Sequence, residues 1–178
     1  MNEVKNYQEH IAHIYHGLLE ILRSPFETRV KPVTDLIIYF EENLSKEAEA
    51  KVGYITPDNI PKGNSIDLGH SIKGYPEGGA GNKWLNWHEG RWFLQVHASN
   101  IEGNSDYVPL AKSMVNYLEK NELPVPHKYG SVKADVEKKK ADNNRISWQE
   151  KTIVYTISKV ENPIDMLAIA THFDNTEK

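Results

Sequence analysis

The chain has no cysteine, and that absence removes disulfide scaffolds, thiol nucleophiles and cysteine-ligated zinc from consideration. It also lacks an excess of positive charge. Lys and Arg number 21 against 25 Asp and Glu, a net charge of −4, whereas a nucleic-acid binder carries a basic stripe that displaces counterions from phosphate. No segment approaches the ~18 apolar residues of a membrane-spanning helix, and the opening Met1-Asn2-Glu3-Val4-Lys5 lacks the apolar heart of a signal peptide. The expectation is therefore no nucleic-acid partner and no transmembrane segment. A chain whose leader had been removed would read the same way, so an extracytoplasmic, membrane-anchored location is expected if a leader was removed and a cytoplasmic one otherwise.

Catalytic signatures are missing as well. There is no Gly-x-Ser-x-Gly and no His-Glu-x-x-His. The glycine-rich stretch Pro76-Glu77-Gly78-Gly79-Ala80-Gly81-Asn82 is followed by Lys83 and a Trp-rich strand pattern. A phosphate loop instead needs Gly-Lys-Ser/Thr at a helix start, where free amides meet phosphate. No catalytic residue, cofactor or metal is assigned on these grounds.

What is present suits one domain over 1–178: hydrophobic residues make up 39%, with four Trp and nine Tyr, enough apolar bulk to offset the entropy of ordering the chain. Residues 1–51 read as a helical N-terminal part. Ile11, Ile14, Leu18, Ile21 and Leu22 form an apolar stripe over 3–23, and Val33, Leu36, Ile37, Phe40, Leu44 and Ala48 form another over 33–51. The cluster Ile37-Ile38-Tyr39 keeps a strand alternative open there. Residues 64–120 form a first ribbon plus helix, opening with Ile66, Leu68, His70 and Ile72 alternating as in a strand. The helix falls at 107–120, capped by Ser105 or Asp106 and ended by Leu123-Pro124-Val125-Pro126. Residues 131–173 form a second ribbon plus helix: 131–144, with Lys138-Lys139-Lys140, reads as a solvated connection or a charged edge strand, Arg145–Ser158 as the ribbon, and Asn162-Pro163 caps a helix at 163–173.

With Glu89-Gly90 as a two-residue turn, Trp87 faces Trp92, Leu85 faces Leu94 and Lys83 faces Val96, so one side of the first ribbon carries two Trp and two Leu and is the core face. The reverse side carries Trp84, Asn86, His88, Arg91, Phe93, Gln95 and His97. Trp87-His88-Glu89 has an echo in Trp148-Gln149-Glu150. With Glu150-Lys151 at the second turn, Trp148 faces Ile153 and Ile146 faces Tyr155. A duplicated hairpin-helix unit and a chance likeness between two common elements both account for this. Either way the expected fold class is α+β, an antiparallel β-sheet of two ribbons packed against amphipathic helices.

The closing stretch, Ile146-Ser147-Trp148-Gln149-Glu150, Val154-Tyr155-Thr156-Ile157-Ser158 and Asp165-Met166-Leu167-Ala168-Ile169-Ala170, resembles the end of uncharacterised bacterial extracytoplasmic and lipoprotein domains, which combine a Trp strand, a Tyr strand and a short terminal helix. The resemblance covers ~30 residues, carries no active-site residues with it, and implies an envelope-associated, noncatalytic domain.

His10, His13 and His16 fall at i, i+3 spacing, but at 100° per residue they spread over about 120° of a helix, too far for one ion to hold all three. His70, His88 and His97 could converge only through the fold. Glu89 and Glu150, read as turn tips, would stand in water at no fixed separation, which does not suit an acid/base pair. The best recognition candidate is the mixed face, comprising Tyr75, Trp84, His88, Arg91, Phe93 and His97, because aromatics and Arg are favoured where a surface must bind. The function expected is a noncatalytic binding or interaction domain of the bacterial cell envelope with a protein or small-ligand partner. The alternatives are a cytoplasmic immunity-type or adaptor protein, mildly acidic and suited to a basic partner, and a His-dependent hydrolase, with or without zinc.

Overall fold

The structure, a computed structural model, describes residues 37–42, 52–53, 55–60, 63–99, 106–137, 142–150 and 153–173, with the backbone alone for 37–42 and 153. The helix expected at 3–23 and its three histidines lie outside these residues. In chain order the elements are β1 (Ile37–Glu42), β2 (Ile66–Gly69), β3 (Ile72–Gly79), β4 (Asn82–Glu89), β5 (Trp92–Ser99), α1 (Val108–Leu118), β6 (Gly130–Asp135), β7 (Arg145–Glu150), β8 (Ile153–Ser158) and α2 (Pro163–Thr171). The strands form one eight-stranded sheet in the order β1-β8-β7-β6-β5-β4-β3-β2, in which β2 pairs only with β3 through an irregular register. Every neighbouring pair is antiparallel except β5 and β6. A parallel pair needs a crossover, and α1 supplies it.

Tight turns set these registers. His70 and Ser71 both have positive φ (52° and 65°), as do Ala80 and Gly81 (49° and 79°), the backbone that matches the twist of the flanking strands. His70 therefore turns the chain instead of continuing a strand, and Pro76–Gly79 belongs to β3 instead of a loop. Gly90 (φ 56°) begins the next turn. Glu89 pairs with Trp92, Trp87 with Leu94 and Leu85 with Val96, one turn residue later than the sequence suggested. The second ribbon is displaced identically: Glu150 pairs with Ile153, Trp148 with Tyr155 and Ile146 with Ile157. Glu89 and Glu150 are thus strand residues.

Two further expectations are corrected. Ile37–Glu42, placed in a helix over 33–51 with a strand as the open alternative, takes the strand: its six residues all pair with β8, consistent with its β-branched start. Gly130–Asp135, read as a connection or edge strand, is a central strand between β5 and β7. Its alternation is strict: Gly130, Val132 and Ala134 point to one face, Ser131, Lys133 and Asp135 to the other.

Both helices lie on the face that carries Leu85, Trp87, Trp92, Leu94, Val96, Val132, Ile146, Trp148, Tyr155 and Ile157, all buried with Ala111, Met114 and Val115 of α1 and Met166, Leu167 and Ala170 of α2. α2 starts at its expected cap, Asn162, whereas the N-cap of α1 is Tyr107, one residue after Asp106. Asp106 accepts the Val108 amide at 2.9 Å and Asn162 the Ile164 amide at 3.0 Å, with Pro163 in the first turn. Trp87 and Trp148 have no exposed surface. Their indole N–H groups are nonetheless satisfied: each donates to the glutamate two residues along its own strand, Trp87 to Glu89 at 2.8 Å and Trp148 to Glu150 at 2.9 Å. Burial raises the Glu89 pKa, an effect the Trp87 bond partly opposes. Trp148 stacks on Tyr155 (5.2 Å between centroids), and Phe173 closes edge-on over both.

Candidate functional site

The opposite face of the sheet carries the polar side chains, and the register sorts them into three rows. The first runs His88, Phe93, Ser131, Ser147 and Thr156; the second Tyr75, Asn86, Gln95, Lys133 and Arg145; the third Glu77, Trp84, His97 and Asp135. Val52, Gly53 and Ile55 lie over the first row and reach the second. The Ser131 hydroxyl donates to the Val52 carbonyl, Val52 packs with Val154 and Tyr129, and His88 Nε2 donates to the Ile55 carbonyl at 2.8 Å. Cover explains why Phe93 is fully buried. His88 is half-buried against the Phe93 ring (5.5 Å), and burial lowers its pKa, partly opposed by its bond to Ile55.

The second row is a hydrogen-bonded relay whose direction is fixed by charge. The Glu77 carboxylate can only accept, so Asn86 must turn its Nδ2 to it (3.1 Å), which leaves Asn86 Oδ1 to accept from Gln95 Nε2 (2.8 Å). Beyond Gln95 the row becomes cationic, with Lys133 opposite Arg145. Arg145 donates to the Ser147 hydroxyl at 2.9 Å and approaches Thr156 at 3.4 Å. Burial first, and the Arg145 charge second, depress the Lys133 pKa.

In the third row His97 Nδ1 lies 2.7 Å from Asp135 Oδ2 and Nε2 lies 2.9 Å from Asn82 Oδ1, with Trp84 tilted against the ring at 5.6 Å. Asn82 is oriented by its own amide, which donates to the Ala80 carbonyl at 3.2 Å. Asp135 is fully buried and also receives the Asn143 amide (3.0 Å) and the Glu137 backbone N–H (2.9 Å). Both His97 nitrogens therefore face acceptors, and no described hydroxyl hydrogen-bonds to the ring. These bonds fix the position of the His97 ring.

The structure thus brings Trp84 and His97 together, and separately His88 and Phe93, while Tyr75 sits beside Asn86. Arg91, expected on the mixed face, instead occupies the turn after Gly90, where its guanidinium donates to two carbonyls of the chain leading into β6, Pro126 at 3.0 Å and His127 at 3.1 Å. His70 bonds Asn116 of α1 at 3.0 Å, on the helix side, so it does not meet His88 and His97. Among the described residues no three His, Asp or Glu side chains form a metal-holding group. No described helix is long and apolar enough to cross a membrane. Lys133, Asp135 and Arg145 are not singled out by the sequence; the one signal available is the alternation of 130–135. Comparison with protein-family models, characterised proteins and solved structures gave no match.

Proposed function

We propose that this chain is a noncatalytic binding domain of the bacterial cell envelope, and that its recognition surface is the second face of the sheet around Tyr75, Trp84, Gln95 and Lys133. The observation that carries the reading is the oriented chain Glu77–Asn86–Gln95 across β3, β4 and β5, continued along the row by Lys133 and Arg145, on the face opposite α1 and α2. Buried Asn86 fixes the half-buried Gln95 amide, and half-buried Tyr75 and Trp84 add apolar contact. The envelope location is supported by the terminal Trp strand, Tyr strand and helix, here β7, β8 and α2.

We also infer that β3-β4-β5-α1 and β6-β7-β8-α2 are copies of one unit. Support comes from the matching Trp–Glu bonds, Trp87 to Glu89 and Trp148 to Glu150, each on the strand that opens its hairpin. The helix-covered faces of the two units agree in these features. Their second faces differ, Asn86 and His88 in one against Ser147 and Gln149 in the other, as expected if recognition resides there.

A photo-reactive phenylalanine at position 84 of the protein in bacterial cells tests the reading, with one at exposed Asn116 on α1 as control. Adducts from position 84 in the envelope fraction and none from position 116 are expected. Equal labelling from both, or adducts confined to the cytosol, would overturn it.

A further inference from the structure

Lys133 is where the charge of the second face does not close. Its neighbours across the sheet are Gln95 on one side and Arg145 on the other. Above it lies Gly53, whose left-handed backbone (φ 69°) lacks a Cβ that would fall 3.0 Å from Nζ. Asp135, two residues along the same strand and on the same face, has its oxygens committed to His97, Asn143 and the Glu137 amide. Nζ itself makes no hydrogen bond or ion pair with any described residue.

Such an arrangement costs stability twice over. An ammonium is partly withdrawn from water with no counter-charge among the described residues, and like charges stand directly opposite on paired strands. Met or Thr would fill the position without either cost. Positions where a chain keeps a destabilising group are candidates for function, since binding sites are tuned at the expense of stability.

We propose that Lys133 is the binding point for one anionic oxygen group, a carboxylate or phosphate, of a small ligand held on the second face. Lysine contacts such groups as a compact point charge. The inference deepens the recognition-surface reading by naming the ligand's chemical class.

The test uses the full chain, its Lys133→Met variant and, in case methionine disturbs the strand, Lys133→Gln. Without added anion the methionine variant should melt higher than the parent by roughly 2–4 °C, the shift that relief of a modest destabilisation produces in a chain of this size. At matched ionic strength, inorganic phosphate or acetate in place of chloride should raise the parent's midpoint and leave both variants unmoved. The same anions should slow acylation of Lys133 in the parent, read by peptide mass spectrometry. A preference for phosphate over acetate, or the reverse, identifies which group the site takes. Anion stabilisation that persists in both variants, or no anion protection of Lys133, would overturn the proposal. Position-84 adducts surviving that result would leave the recognition surface standing and only its ligand class wrong. An anion response without such adducts would mean the opposite.

Discussion

Gly130 is the position where one added methyl group should do the most damage. An ideal Cβ there would sit 2.7 Å from Cδ2 and Cε3 of Trp92 and 2.9 Å from Cε2, against the ~3.5–4.0 Å of ordinary carbon contact. The indole would have to retreat by nearly an ångström, and it has little room to do so. It is 5% exposed, its N–H donates to the Pro124 carbonyl at 3.1 Å, and Trp148 tilts against it at 6.2 Å. Overpacking costs about 1–3 kcal/mol, and straining the indole bond adds about 1 kcal/mol. The lower entropy of an unfolded alanine chain returns roughly 0.4–1 kcal/mol. Gly130→Ala should therefore lose about 2–3 kcal/mol in urea unfolding, through a lower midpoint at unchanged slope. Gly63→Ala, with nothing within 4 Å of its Cβ, is the neutral control. Gly74→Ala should fall between them, because its neighbours at 2.9–3.1 Å are side-chain carbons of Leu85 and Leu68, which shift more readily than a hydrogen-bonded indole. A loss below about 1 kcal/mol at Gly130, or one equal to that at Gly63, would refute the claim that this glycine seats the Trp92 ring.

The same melts check three other expectations. Trp87→Ala and Trp148→Ala should each cost roughly 3–5 kcal/mol as fully buried aromatics, and half-buried Trp84→Ala clearly less; equal losses would contradict the assignment of faces. Ala80→Gly should stabilise by about 0.5–1 kcal/mol, because Ala80 holds a left-handed φ of 49° that glycine adopts without strain. His88 has its pKa lowered in the fold, so as pH falls through 6.5 the unfolded chain takes up a proton that the folded chain refuses. Stability should fall across that window, and His88→Gln, which keeps a donor for the Ile55 carbonyl, should flatten the fall; an unchanged pH profile would remove His88 from the account.

How far the fold is legible depends on which property of the residues carries the signal. Helix caps are local chemistry: Asn162 caps α2 where its side chain predicts, and Asp106 bonds the Val108 amide from one residue before the α1 cap, Tyr107. Turn position is less local. Whether the first ribbon closes at Glu89-Gly90 or one residue later depends on which backbone takes the left-handed φ, and Gly90 could serve either turn. Placing the turn one residue early shifts both ribbons by the same step, yet Trp87, Leu85, Trp92 and Leu94 still share the core face. Moving a two-residue turn by one residue changes each pairing by two, and side chains alternate with period two, so the faces survive. A one-residue change in pairing would have turned Trp87 out. The second face fares worse for a related reason. Its polar residues carry no period of their own beyond that of the core, and the run Lys138-Lys139-Lys140 draws 131–144 toward a solvated connection. What places Lys133 and Asp135 in the middle of the sheet is the alternation of Gly130, Val132 and Ala134, three small or apolar residues that fit beneath helices and beside Trp92 and Trp148.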